Sequence, residues 1–125
     1  MNEVLDGGPI YYKYPLALKG KASEIYLRAA ELSWDMINEI IANNPAPKAQ
    51  SGPITMFARR VPSQSEIPDN LNIFEVFDYI RMLDADEYPR AFIKRDGYRM
   101  LFEDAVLDGD KITASVSIEM RDKKI

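Results

Sequence analysis

The 125-residue chain contains no cysteine and no histidine. Without cysteine there is no disulfide framework and no thiolate nucleophile, and the redox compartment stays undetermined. With neither residue type, a zinc site would have to be built from carboxylates alone, outside zinc's usual nitrogen and sulfur donors. No metal is expected. An excess of basic residues is also missing: 16 lysines and arginines face 20 aspartates and glutamates, for a net charge of −4. The imbalance is even, with −2 in residues 1–44 and −2 in the remainder. Nucleic-acid binding draws most of its non-specific affinity from neutralising phosphates, so a nucleic-acid partner is not expected. No apolar run approaches the ~20 residues of a membrane span, and no signal-peptide pattern is visible. Membrane partners are therefore not expected, and the cytoplasm is the default location.

What is present is an ordinary globular composition, 46% hydrophobic and 29% charged. That suffices for one domain with a sizeable core, or a small domain with an appendage. Ile10 to Leu18 mixes aromatic and apolar residues with Lys13 and Pro15, and reads as a short edge strand. From Ala22 the apolar residues Ile25, Tyr26, Ala29, Leu32, Met36, Ile37, Ile40 and Ile41 recur at three- and four-residue spacing, with Glu24, Arg28, Glu31, Asp35 and Glu39 opposite. This predicts an amphipathic helix of about 20 residues, closed by Asn43-Asn44-Pro45. Trp34 is expected to pack at the border of its apolar face, and the methionines at positions 36, 56, 82, 100 and 120 to fill core space.

Pro47, Gly52 and Pro53 mark a connector. Beyond it, Ile54 to Arg59 reads as a strand and Val61 to Asn70 as a loop. Asn72 and Glu75 form a capping pair for a second helix with Ile73, Phe74, Phe77, Ile80 and Leu83 on its apolar face. Asp96-Gly97 and Asp108-Gly109 then predict two hairpin turns. The last strand alternates, with Ile112, Ala114, Val116, Ile118 and Met120 directed inward. With so few strands, closure into a small barrel would bury one face. The predicted class is α+β: a strand and long helix, then a small OB-like β-barrel with one helix.

Two segments carry chemistry. Leu5-Asp6-Gly7-Gly8-Pro9-Ile10 is an Asp-Gly-Gly loop before the first strand, with glycines that would allow a sharp backbone turn. Ile80-Arg81-Met82-Leu83-Asp84-Ala85-Asp86-Glu87-Tyr88-Pro89-Arg90-Ala91-Phe92 joins the second helix to a strand. Arg81 and Asp84 stand three apart, a spacing that favours a salt bridge. Asp84, Asp86 and Glu87 offer oxygens to a hard cation but lack a Gly-bearing ligand loop, so a structural role is expected. Arg59, Arg60, Arg90, Lys94, Arg95 and Arg99 could form a positive stripe, diluted by Glu66, Asp96, Glu103 and Asp104.

These segments resemble formyltransferases that use 10-formyltetrahydrofolate, both the methionyl-tRNA and the sugar N-formyltransferase kinds. In that family an Asn, a His and an Asp form the site, the Asp in an L-D-x-G loop before a strand, and Asp6 matches it by position. The second segment is similar to I-R-x-L-D-A-x-x-Y-P-x-A-F in the family's carboxy-terminal barrel, with Glu87 where a Gly commonly stands. The resemblance implies that residues 1–45 are the end of a catalytic domain, 46–52 a linker and 53–125 the small barrel. It assigns Asp6 as catalytic in an incomplete site, since the Asn and His would lie upstream. It implies 10-formyltetrahydrofolate as the cofactor of a full-length enzyme and none for the isolated chain, which is expected to be inactive alone. The substrate would be a small-molecule amine, an amino sugar favoured over methionyl-tRNA on grounds of charge. An alternative is a non-enzymatic module: a helix without its sheet leaves an apolar stripe, which predicts self-association or docking of a missing amino-terminal domain.

Overall fold

The computed structural model describes residues 6–120. Along the chain run helix α1 (Ala22–Asn43), a 3₁₀ turn (Pro62–Ser65), helix α2 (Ile73–Met82) and strands β1 (Ala91–Arg95), β2 (Tyr98–Asp108) and β3 (Lys111–Met120). The class is α+β. Contacts divide the chain into two compact units, one made of residues up to Leu18 with Ile25–Ala58, the other of Lys19–Glu24 with residues from Arg59 onward.

In the first unit, α1 ends where the sequence says it should. Asn44 adopts a left-handed φ of 40° and its N–H bonds the Ile40 carbonyl at 2.9 Å, a carbonyl-satisfying stop that asparagine tolerates better than most residues. The helix carries two apolar stripes. Ala22, Ile25, Ala29, Leu32, Met36 and Ile40 are buried or half-buried, whereas Leu27, Trp34, Ile37 and Ile41 are exposed. At 100° per residue the second stripe lies about 140° around the helix from the first. Trp34, expected to pack, is 65% exposed. The segment from Ile10 to Leu18 makes no strand. Only Ile10 pairs, forming an isolated antiparallel bridge with Lys48. Pro15 has no N–H to offer a ladder, and the Ala17 carbonyl is taken by the Arg28 guanidinium at 2.8 and 3.2 Å. Nor does Ile54–Arg59 form a strand; Ile54, Met56 and Phe57 are almost fully exposed. Strand-forming side chains do not make a strand without a neighbour to complete the ladder.

The second unit has its core between α2 and the sheet. Asn72 caps α2 in a full capping box, its Oδ1 accepting from Phe74 and Glu75 N–H at 3.0 and 3.1 Å while Glu75 Oε2 accepts from Asn72 N–H at 2.8 Å. Ile80 and Leu83 are buried with Ile67 and Ala91, and Val76, Tyr79, Phe102 and Ile112 pack around them. Burying Ile67, Ile80 or Leu83 contributes about 1.5–3 kcal/mol each. The inward face of α2 is thus Val76, Tyr79, Ile80 and Leu83, and Phe74 faces solvent.

The sheet is antiparallel with order β1-β2-β3, its turns at Asp96-Gly97 and Gly109 as the dipeptides predict. Among the described residues it has three strands and stays open, so the expected barrel is not closed. Three strands cannot reach the tilt and circumference that closure requires. The alternation expected in β3 also fails toward its end. Ile112 and Ala114 are half-buried, but Val116, Ile118 and Met120 are exposed. A 10-residue helix is about 15 Å long and a 10-residue strand about 34 Å, so α2 covers only part of β3. Of the methionines expected in core positions, Met36 and Met100 are half-buried and Met56, Met82 and Met120 exposed.

Candidate active-site loop

Asp6 sits in the first unit in a turn of its own making. It adopts φ 55°, in the left-handed region, which Asp reaches more readily than most residues. Of Gly7 and Gly8, both expected to allow the sharp turn, Gly8 stays outside that region. Two contacts from the segment after α1 secure the loop. Ile10 and Lys48 exchange N–H···O bonds of 2.7 and 2.8 Å. Gln50 Nε2 donates to the Asp6 carbonyl at 2.7 Å and to the Gly8 carbonyl at 2.8 Å. Asp6 is exposed and lines an open pocket of about 500 Å³ with Ile10, Met36, Ile37, Ile40 and Gln50.

This arrangement presents a carboxylate at the rim of an apolar depression. A carboxylate there can accept hydrogen bonds and orient a partner imidazole, but the chain has no histidine to complete an acid–base pair. The pocket is also a poor fit for a pterin. The Gln50 amide and the Ser33 hydroxyl are committed to backbone carbonyls, which leaves Asp6 and the Tyr11 and Tyr12 hydroxyls as the polar side-chain groups of a lining that is otherwise largely apolar. No residue of this chain is assigned to hold folate. Nearby, Tyr14 donates to Glu39 at 2.5 Å, and that bond pushes the phenol up to about 12.

The Ile80–Phe92 segment lies in the second unit and forms a knot around Asp84. The Asp84 side chain is only 4% exposed and pairs with Arg90 Nη1 at 3.1 Å and Lys21 Nζ at 3.9 Å. Its Oδ2 accepts the Asp104 backbone N–H at 2.7 Å, and its carbonyl accepts the Ser23 N–H at 3.1 Å. Asp104 has φ 52° at the point where the β2–β3 register shifts, so the bulge turns an N–H toward a buried carboxylate. Arg90 further reaches the Ala85 carbonyl at 2.6 Å and Glu103 at 3.4 Å. Lys21 and Asp104 meet at 2.5 Å. Their hydrogen bond, with Asp84 adding its charge, holds Lys21 above the usual lysine value, and Lys21 holds Asp104 below the usual carboxylate range.

The expected Arg81–Asp84 salt bridge is not what forms. Arg81 pairs with Asp78 at 2.6 Å and bonds the Gly20 carbonyl at 2.8 Å. Glu87 takes φ 66°, so the turn keeps a glycine-like conformation with a glutamate in it. Among the described residues no group of three potential ligands could hold a metal ion. Three of the six basic residues of the candidate stripe are matched in place: Arg90 by Asp84, Asp86 and Glu103, Lys94 by Glu66, and Arg99 by Glu119. Gln50, Lys21 and Asp104 are the residues that sequence reading missed. Each acts across 40 or more residues or through backbone geometry, and no local pattern marks them.

Residues 62–119 match the family described as methionyl-tRNA formyltransferase, C-terminal domain. A solved structure, methionyl-tRNA formyltransferase from Clostridium thermocellum, is 43% identical, with a TM-score of 0.92 over 97% of this chain and 54% of its own. The chain therefore spans about half the length of that structure. No curated protein matches it.

Proposed function

Since both likenesses support the formyltransferase family and a carboxy-terminal portion of such a protein, we propose that the chain takes part in transfer of a formyl group from 10-formyltetrahydrofolate to an amine. Folate supplies the one-carbon unit in an activated form. In this reading Asp6 accepts a hydrogen bond from an imidazole provided by the rest of the enzyme, fixing its tautomer and stabilising the imidazolium when it takes the amine's proton. The supporting observation is the exposed Asp6 carboxylate on a loop whose backbone is held by Gln50. The exposed α1 stripe of Leu27, Trp34, Ile37 and Ile41 is the surface an amino-terminal domain would cover. An amino sugar on a nucleotide carrier is the favoured amine, because the net charge is negative and Arg90, Lys94 and Arg99 are spent on carboxylates. Steering a tRNA needs free positive charge.

The test is formyl transfer from 10-formyltetrahydrofolate by the chain, with and without a formyltransferase amino-terminal domain, to nucleotide-linked amino sugars and to methionyl-tRNA. Transfer to the amino sugar on complementation, abolished by Asp6→Ala, is expected. Transfer to methionyl-tRNA in preference would overturn the substrate assignment, and transfer to no amine would overturn the activity.

A further inference from the structure

One contact in the first unit bears on that chemistry without touching a reacting group. A single side-chain amide, that of Gln50, donates to two carbonyls two residues apart, on Asp6 and Gly8. The orientation of that amide is dictated by its partners. Two carbonyl acceptors call for the NH₂ end, since the amide oxygen has nothing to donate. Each of the two N–H groups serves one carbonyl, so the Asp6–Gly7 and Gly8–Pro9 peptide units are fixed together. Asp6 lies at the start of this span in a left-handed conformation that costs a non-glycine residue and persists only when its surroundings hold it. A few residues away, the Ile10–Lys48 bridge fastens the same two segments. The segment 48–50, which reads as connector in the sequence, thus grips the loop.

We infer that Gln50 is the positioning residue of the Asp6 loop: its amide holds the backbone from which the Asp6 carboxylate projects. A carboxylate on a short side chain has only two torsions between its oxygens and the backbone, so fixing the Cα leaves it few places to be. Gln50 touches no reacting atom; it acts through Asp6. Its consequence for rate rests on the catalytic reading of Asp6, but its effect on the loop does not.

Gln50→Glu is the sharpest variant, because it keeps shape and size while replacing the donor with oxygens that repel both carbonyls. Gln50→Ala removes the contact. The first measurement is ¹⁵N relaxation of the Gly7 and Gly8 amides in the chain itself, with the Gly97 hairpin amide as reference. The Gly8 order parameter is expected near ~0.85 in the parent and at about 0.6 or below in both variants, with Gly97 unmoved. A Gly8 amide equally rigid in parent and variants would overturn the inference, whatever the chain's activity. The second measurement is complemented formyl transfer. Gln50→Glu should lower kcat about tenfold with the KM for the amine unchanged, and add no further loss on top of Asp6→Ala. An independent, multiplicative loss in the double variant would show that Gln50 does not work through Asp6. If the parent transfers nothing, the proposed function fails, while the relaxation result still decides the role of Gln50.

Discussion

Replacing Asp84 with alanine should be among the most damaging single changes in the second unit. The carboxylate is buried and accepts the Asp104 N–H at 2.7 Å while facing Arg90 at 3.1 Å. A hydrogen bond to a charged group is worth about 1.5–3 kcal/mol, and stripping one partner from a fully buried ion pair costs about 3–5 kcal/mol. The second figure must be discounted here. The Arg90 side chain is 23% exposed and keeps Glu103 and the Ala85 carbonyl, so it is not stranded. The expected loss for Asp84→Ala is therefore about 2–3 kcal/mol, a large share of the ~5–15 kcal/mol that folding yields. At roughly 4 °C per kcal/mol the midpoint should fall by about 8–12 °C. Asp84→Asn retains an acceptor for the Asp104 N–H and should lose only about 1–2 kcal/mol. Urea unfolding followed by far-UV circular dichroism measures both, and an unchanged slope would assign the effect to stability. If both variants unfold within about 0.5 kcal/mol of the parent, as an ordinary surface site would, the knot is not what holds the β2 bulge and the start of α1.

Glu87→Gly should stabilise the chain by about 0.5–1 kcal/mol, because φ 66° costs a glutamate and not a glycine; the same urea experiment detects it, and a destabilisation would show that the Glu87 side chain contributes more than its backbone costs. Glu39→Gln should move one tyrosinate absorbance step from about 12 back toward 10, since the Glu39 hydrogen bond is the main cause of the raised Tyr14 value; ultraviolet titration reads this directly, and an unchanged curve would remove the contact. Asp104 is held below the usual carboxylate range by Lys21, so its contribution to stability is present above the unfolded value near ~3.9 and is lost as pH falls through the folded value. Asp104→Asn should flatten that acid limb in a series of unfolding curves, and an acid limb identical to the parent's would contradict the pairing.

Local signals were the legible ones. The Asn72–Glu75 capping box, the end of α1 at Asn43-Asn44 and both Asp/Asn-Gly-type hairpins are decided by residues within four positions of one another, and these features appear where the sequence puts them. The resemblance carried by Ile80–Phe92 is equally local, and the family likeness falls on that stretch. What failed were statements about partners. Ile10–Leu18 and Ile54–Arg59 have strand-like side chains, yet a strand exists only where another backbone completes its ladder; the first gains a single bridge at Ile10 and neither becomes a strand. Val116, Ile118 and Met120 alternate as an inward face should, but burial depends on how far α2 reaches over the sheet.

The candidate site divides along the same line. The loop that nominates Asp6 is written in consecutive positions, Leu5 to Ile10. Gln50 stands 44 residues away in what reads as a linker, and only folding brings its amide to the Asp6 and Gly8 carbonyls. Asp84 shows a similar limit. Its i−3 neighbour Arg81 was the obvious partner by spacing, but Arg81 turns to Asp78 and Gly20, and Asp84 receives Arg90, Lys21 and the Asp104 N–H. By itself the sequence determined the helices, caps and turns, since these follow from short-range propensity and periodicity, and the motif at Ile80–Phe92 carried the family resemblance. The tertiary structure alone decided which strand-like segments stay unpaired, which apolar rows are covered and which polar groups meet, because each depends on two segments arriving at one place.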